Sequence, residues 1–516
     1  MSDSVIAQLE ATALTARCHN SFFRQKQLKS LHDALRQDSN TIKDAIKSDT
    51  RVSEQEATAE VALSLDLVKE HYASINPAKE LEEEYRLSKG KDARDQTQPW
   101  GVVYIEPQQN HTPFFSIITT LSAALAAGNC VILKGSPDKT QPRWSRTDST
   151  QLDNNLRALP SLLRTLLTQA LEADTFVLVS SSPSSDALAT CLQVLQETHV
   201  QQPTYTQLAS PQSKVIAIVD RTADLVSAAE QLVTARFAFG GSSPYAPDLV
   251  FVNEYVKNDF LEHVLKFAIP YLASSEDSVS NGSPKSPTAG GQKLGSKTTT
   301  EALKSVESSS SWRTRVVTQG SKGAIVDLSN LSAIPAKPSS SLLAVSAITS
   351  LEHAISLIDE DSESASGLLA GYYFGTPSAG KYLSQFVKAD ASFVNHVPHR
   401  LLLGPAAPAY HSVDVDARYT KAQFTRPSPA FITAASSHAA LVKVLGGKDA
   451  RKASAEALSK ATQEIKEKKR AEWIAIGYFE QGILIGLGLY GIPLLTCIGT
   501  GLFFGVRAGL RRFSFI

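Results

Sequence analysis

SKVIAIVDRTADLVSAAEQLVTARFAFGGSSPYAPDLVFV, residues 213–252, is the stretch that decides the fold. It opens on an apolar run, KVIAIVD (214–220), which reads as a buried strand. TADLVSAAEQLVTARFAF (222–239) follows, with apolar residues at helical spacing. Gly240-Gly241, Ser242, Ser243 and Pro244 then lead through APD into LVFV, a second strand signal. Strand, helix, loop and strand in that order describe a βαβ unit of a parallel sheet. The loop has the look of a reaction site. Yet Pro244 carries neither a nucleophile nor a backbone N–H.

The same pattern recurs upstream. PWGVVYIEP (99–107) reads as a strand, FFSIITTLSAALAAGN (114–129) as an apolar helix ended by Gly128-Asn129, and CVILK (130–134) as a buried strand. DTFVLVSSS (174–182) adds another strand and loop, and residues 1–85 read as helices. Downstream, TRVV, GAIVDL, SLLAVSAIT, LLAGYYFG and SFVNHV read as strands, with SLEHAISLID helical among them. Residues 274–311, rich in Ser, Gly, Thr and Lys, read as a mobile surface insertion.

The chain has 516 residues, of which 42% are apolar and 20% charged, ordinary globular values. Its 51 basic and 51 acidic residues cancel, which argues against whole-surface attraction to nucleic acid. Cys18, Cys130, Cys191 and Cys497 are far apart in sequence and suggest neither a disulfide framework nor a metal site. A reducing compartment fits this usage. The N-terminus lacks the basic and apolar regions of a signal peptide. Gly482–Val506, by contrast, contains no charge and is long enough to span a bilayer as a helix. Lys466, Lys468, Lys469 and Arg470 precede it, and Arg507, Arg511 and Arg512 follow, so charge bias leaves its orientation open. The expectation is a single-pass C-terminal anchor holding a cytosolic body on a membrane.

Four stretches resemble the aldehyde dehydrogenase superfamily, closest to its fatty-aldehyde-type branch. PWGVVYIEPQQNHTPFF is similar to a strand and loop ending in Asn-aromatic-Pro-Phe. AALAAGNCVILKGS resembles AAGNAVVLKPSE. Residues 213–252 resemble the stretch after Glu-Leu-Gly-Gly that includes Gly-Gln-x-Cys, with no gap from Ala223 to Asp248. SLEHAISLID, GLLAGYYF and FVNHV resemble late strands of the catalytic domain.

The resemblance implies a thiolate attacking an aldehyde, an asparagine holding the oxyanion, hydride transfer to NAD or NADP, and a glutamate activating water. Carried onto this sequence, the oxyanion position is Asn110, with one extra residue before Pro113. The cofactor positions are Lys134 and Ser136. The Phe-Thr-Gly-Ser loop falls on Val179–Ser182, where its glycine is missing. The base position is Gln207 or Ala209, and the nucleophile position is Pro244. No glutamate of a ribose clamp appears near IPAKPSSSLL. Ser242 and Ser243 could be imagined as replacement nucleophiles, but no adjacent base is evident; His111 and His396 sit in loops near the cleft.

The expectation is an α/β, aldehyde dehydrogenase-like fold. Residues 1–205 form a Rossmann-type cofactor domain with N-terminal helices, and 206–395 a catalytic-type α/β domain. Residues 396–430 form an oligomerisation-type tail implying a homodimer, 431–475 a helical linker and 476–506 the anchor. The functional expectation is a membrane-anchored pseudoenzyme or scaffold able to meet a hydrophobic aldehyde, without nucleic acid as partner and without metal. Cofactor binding, by NAD or NADP if by any, is doubtful on these residues. The alternative is an active oxidoreductase with a rearranged site.

Overall fold

In the computed structural model, described over residues 2–93, 95–135, 156–272, 294–338, 340–361, 364, 367–428, 436–446, 448–466 and 478–513, the apolar runs become two parallel sheets. Residues 1–433 and 434–516 are separate compact units.

In the first unit, a short strand β1 (Thr97–Pro99) precedes β2 (Val102–Glu106), β3 (Cys130–Lys134), β4 (Phe176–Val179), β5 (Leu192–Leu195) and β6 (Gln207–Ala209). The last five form one parallel sheet in the order β4-β3-β2-β5-β6. Chain reversal at β2 gives the doubly wound topology of a Rossmann-type domain. The Pro113–Ala127 helix crosses from β2 to β3 and is buried almost all round, as its unbroken apolar sequence requires. Leu28, Leu31, Ile118, Leu121, Leu163 and Leu167 pack with Val103 and Val131 in the core beneath it.

The second sheet holds β7 (Val215–Val219), β8 (Leu249–Asn253), β9 (Arg313–Gln319), β10 (Ala324–Ser329), β11 (Leu342–Ile348), β12 (Ala370–Phe374) and β13 (Ser392–Val394). Their order is β13-β12-β7-β8-β11-β10-β9, parallel except for the edge strand β9. Side chains alternate across a strand. Hence Val215, Ala217 and Val219 enter one core while Ile216 and Ile218 enter the other. Both faces are covered, which explains the unbroken apolar strands. The Leu225–Phe237 helix joins β7 to the loop before β8, confirming the βαβ reading of residues 213–252.

Three boundaries differ from the sequence reading. β6 hydrogen-bonds to β5 and belongs to the first sheet, so the change of sheet follows Ala209 rather than residue 205. Leu294–Glu307 is a helix with Leu303 buried, inside the stretch read as a mobile insertion, because that amphipathic segment has a core to pack on. Residues 274–293 of that insertion lie outside the described residues. Of the stretch read as an oligomerisation-type tail, residues 396–428 are woven into the body: Tyr419 and Phe424 are buried in the first core, and strand β14 (Thr425–Pro427) pairs antiparallel with β1.

In the second unit, Ser436–Gly446 and Ala450–Ala461 are helices, and Gly482–Arg512 is one continuous helical run with an 18-residue window of mean hydropathy 1.9. Leu487–Gly491 makes a π turn just before Pro493, whose missing N–H breaks the regular ladder.

Candidate functional site

The loop Ala238–Asp248 lies at the N-terminal edge of the second sheet, between the Leu225–Phe237 helix and β8. Three consecutive residues are left-handed: Phe239 (φ 51°), Gly240 (φ 68°) and Gly241 (φ 71°). Only glycine fits at 241, where a Cβ would stand 2.8 Å from Ser341 Cα and 2.9 Å from the Arg236 carbonyl. A turn follows, closed by Ala246 N–H donating to the Ser243 carbonyl at 3.1 Å. Pro244 occupies the position in such a turn that its fixed φ suits. Tyr245 is fully buried; its hydroxyl accepts from Ala407 N–H (3.1 Å) and its carbonyl accepts from the Tyr372 hydroxyl (2.9 Å).

Charge holds this loop from below. Asp248 is buried between Arg236 (3.5 Å) and Lys337 (3.4 Å), and its Oδ2 accepts from Val215 N–H at 2.8 Å. Lys337 Nζ also donates to the carbonyls of Pro244 (2.7 Å) and Ser213 (3.0 Å). Burial pushes the Lys337 ammonium below its usual range, with Asp248 opposing.

From the first sheet, His111 reaches the loop. Its Nε2 lies 2.7 Å from the Leu402 carbonyl and its Nδ1 2.9 Å from Ser242 Oγ. The carbonyl requires Nε2–H as donor, so in the neutral ring Nδ1 accepts from the serine hydroxyl. The Phe239 carbonyl, 2.8 Å from Ser242 Oγ, competes for that proton. Burial pushes the His111 pKa down to about 4, and the Leu402 carbonyl only partly opposes this. A base activating serine must store a positive charge, and His111 has no carboxylate to stabilise one. His71 makes the same bridge elsewhere, with Nδ1 2.8 Å from Ser122 Oγ and Nε2 3.0 Å from the Tyr419 carbonyl, deep between helices. Both histidines are latches between chain segments.

Comparison with known proteins places this geometry. An aldehyde dehydrogenase family model matches residues 7–145. 4,4'-Diaponeurosporen-aldehyde dehydrogenase of Staphylococcus aureus (strain NCTC 8325 / PS 47) is 26% identical over 253 residues, 47% of this chain and 53% of that protein. The match thus spans about half the length of that curated relative. The substrate-bound state of Staphylococcus aureus AldH superposes with a TM-score of 0.60 at 18% identity, covering 84% of this chain and 94% of that one. NADP-dependent glyceraldehyde-3-phosphate dehydrogenase from Bacillus halodurans C-125, solved with NADP, gives 0.59 at 17% identity, covering 83% and 90%. The chain has the aldehyde dehydrogenase fold.

Within this aldehyde dehydrogenase fold the sequence-derived positions are dispersed. Asn110 is exposed, and its amide pairs with no described residue. His111 stands two residues before Pro113, which begins the helix, the spacing that the motif's asparagine has. His111 is also the residue that faces the loop. Gln207 turns toward its own sheet: its Oε1 accepts from Thr204 N–H (3.1 Å) and its amide meets Gln193 (3.4 Å). The alternative, Ala209, is buried and carries no polar group. Pro244 is the turn residue described above. Lys134 is tied to Glu106 at 3.0 Å, and Thr198 shares that carboxylate. Ser136 lies outside the described residues. β5 intervenes between the Val179–Ser182 loop and β6, so the loop leading into the base-position strand is 196–206.

Dinucleotide phosphates sit at helix N-termini beyond the strand ends of such a sheet. Here those N-termini hold the chain's own groups. After β2, Glu60 Oε1 accepts from Phe114 N–H (2.9 Å) and Phe115 N–H (3.1 Å). At the start of the Ala158–Ala170 helix after β3, Asp49 accepts from the N–H groups of Arg157, Ala158 and Leu159 at 2.9–3.2 Å. After β4, Ser184 caps a four-residue helix. Between β5 and β6 there is no helix. Among the described residues the helix starts after β2 and β3 are thus already capped by the chain's own carboxyl groups. No acidic, histidine and cysteine grouping there could hold a metal.

Proposed function

We propose that this chain is a membrane-tethered member of the superfamily that has left the family's NAD(P)-dependent oxidation of aldehydes and acts as a binding or scaffold protein. The observation that carries this reading is the occupation of the cofactor edge. Two carboxylates, Asp49 and Glu60, cap the helix starts that a pyrophosphate would need. A phosphate arriving at the Ala158–Ala170 helix would meet the charge of Asp49, and at either helix it would find the N–H groups already taken.

The absence of a thiol supports it. The thiolate route needs a cysteine. Cys18, Cys130 and Cys191 are buried in the first domain and Cys497 lies in the apolar helix, so the second sheet and its loops carry none. The similarity to a protein named for a long hydrophobic aldehyde makes such an aldehyde the ligand class to try first. Tethering rests on the apolar Gly482–Arg512 helix, with the body on the cytosolic side. A homodimer through the β1–β14 ribbon belongs to the same reading.

The test uses the full chain in detergent. Titration calorimetry with NAD and with NADP is expected to give no heat of binding at millimolar cofactor, and a long-chain aldehyde is expected to give no acid. Micromolar cofactor binding together with aldehyde turnover would establish instead an active oxidoreductase with a rearranged site.

A further inference from the structure

The four cysteines are scattered in sequence, but two meet in space. Cys18 lies in the three-residue helical turn Arg17–His19, and Cys130 begins β3. Their Sγ atoms are 3.7 Å apart, among Ile6, Leu9, Val102 and Ile132. The approach has a local cause. Gly128 ends the preceding helix in a left-handed conformation (φ 94°), and a Cβ there would stand 2.7 Å from the Cys18 carbonyl. Only glycine lets the two segments lie this close. Arg17 pins the turn from outside, pairing with Glu172 and, at 2.7 Å, with Asp174.

We propose that Cys18 and Cys130 are a modification site: a dithiol that a low-molecular-weight disulfide, such as glutathione disulfide, converts into an internal disulfide tying the N-terminal segment to β3. The steps balance. The Cys18 thiolate attacks one sulfur of glutathione disulfide, forming a mixed disulfide and expelling one glutathione thiolate. The Cys130 thiolate then attacks the Cys18 sulfur and expels the second glutathione. Two protein thiols are oxidised, one external disulfide is reduced, and the two protons pass to the departing thiolates.

Order of attack follows from the surroundings. The Cys130 thiol hydrogen-bonds to Cys18 and holds the Cys18 thiol below its ordinary value; burial opposes this and Arg17 assists. Cys130 is shifted upward by the same bond and by burial. Cys18 is therefore the attacking sulfur and Cys130 the resolving one. Both side chains are buried, at 3% and 0% exposure, so the external disulfide gains access when the short Arg17–His19 turn opens. Cys191 and Cys497 have no cysteine beside them among the described residues.

The full chain, reduced and then equilibrated with glutathione disulfide, is unfolded in iodoacetamide and mapped by mass spectrometry. The expected result is a Cys18–Cys130 cross-linked peptide that dithiothreitol removes. It is lost in Cys18→Ser and in Cys130→Ser and kept in Cys191→Ser. The oxidised wild type is expected to unfold at a higher temperature than the reduced form, an increment missing from Cys18→Ala. Full alkylation of both thiols in the wild type, or a bridge formed through Cys191 or Cys497 instead, would overturn the proposal.

Discussion

Pro244 stands where the resemblance puts a sulfur, and its own surroundings explain it as a turn residue whose carbonyl receives Lys337. Restoring the sulfur alone should therefore restore little. Pro244→Cys is expected to react with iodoacetamide, yet to give no aldehyde oxidation even with Gln207→Glu, because Gln207 is engaged with Thr204 and Gln193. Aldehyde-dependent NAD reduction by that double variant would show that the site needs only those two groups. Asp248 carries more of the stability. It answers a buried Arg236 and a half-buried Lys337, so Asp248→Asn should cost about 3–5 kcal/mol in denaturant unfolding. His111 gives a pH dependence of definite sign. Its folded pKa, about 4, lies below the unfolded value near 6.5, so the neutral ring is favoured by folding. That contribution is complete above pH 6.5 and fades as pH falls toward 4, by roughly 3 kcal/mol. Arg418 adds to the depression, and His71 shifts the same way. Glu60 runs oppositely: burial raises it to about 7, so its contribution is present below pH 4.5 and is lost by pH 7. Unfolding curves at pH 7 and 4.5 should show a smaller acid loss in His111→Gln than in the wild type; equal losses would remove His111 as the source.

Elements were legible where their physics is local. The strand KVIAIVD, the helix after it and the strand LVFV needed only periodicity, and Gly128 marked a helix end that is left-handed in the structure. Legibility stopped where one element's end is completed by another. Nothing near Pro113 in sequence announces Glu60 as the cap of its helix, and nothing near Ala158 announces Asp49. Nothing in the sequence before Pro113 announces that His111 faces inward and Asn110 outward. The loop before β8 offers an element-scale test through its glycine pair. Gly240 and Gly241 have nearly the same positive φ, so alanine at either carries a conformational cost of about 1 kcal/mol. At 240 a Cβ meets nothing within 4 Å; at 241 it meets Ser341 backbone atoms at 2.8 and 2.9 Å. Gly241→Ala should thus be about 3 kcal/mol less stable than the wild type, and Gly240→Ala only about 1. Equal losses in chemical unfolding would mean that conformation alone, and not the approach of Ser341, selects glycine at 241.

At the scale of the whole molecule, fold and activity rest on different residues. The doubly wound sheets follow from apolar runs that any member of the superfamily must keep to bury both faces. Activity depends on a few groups at loop tips, and those are free to change while the sheets persist. The chain also joins the body to a second unit of opposite character, an apolar helix whose side chains are exposed almost throughout. A helix of such composition is costly in water and favoured in lipid. Gly482–Val506, uncharged over 25 residues, rises roughly 37 Å against a hydrocarbon thickness of about 30 Å. A helix of that length in a bilayer would span with some tilt and would set Arg507, Arg511 and Arg512 at the headgroups. The full chain should therefore stay with membranes through an alkaline carbonate wash. Removing residues 482–516 should release the body, but a truncation can also act by misfolding. Leu495→Arg separates the two effects. It puts one charge near the middle of the run, at a cost of about 2.5–3.5 kcal/mol for insertion, and leaves the body unchanged. Partial release by Leu495→Arg with an unaltered unfolding curve for the body is the expected pair of results. Full retention after that substitution, or carbonate release of the wild type, would show that this helix packs against protein and not lipid.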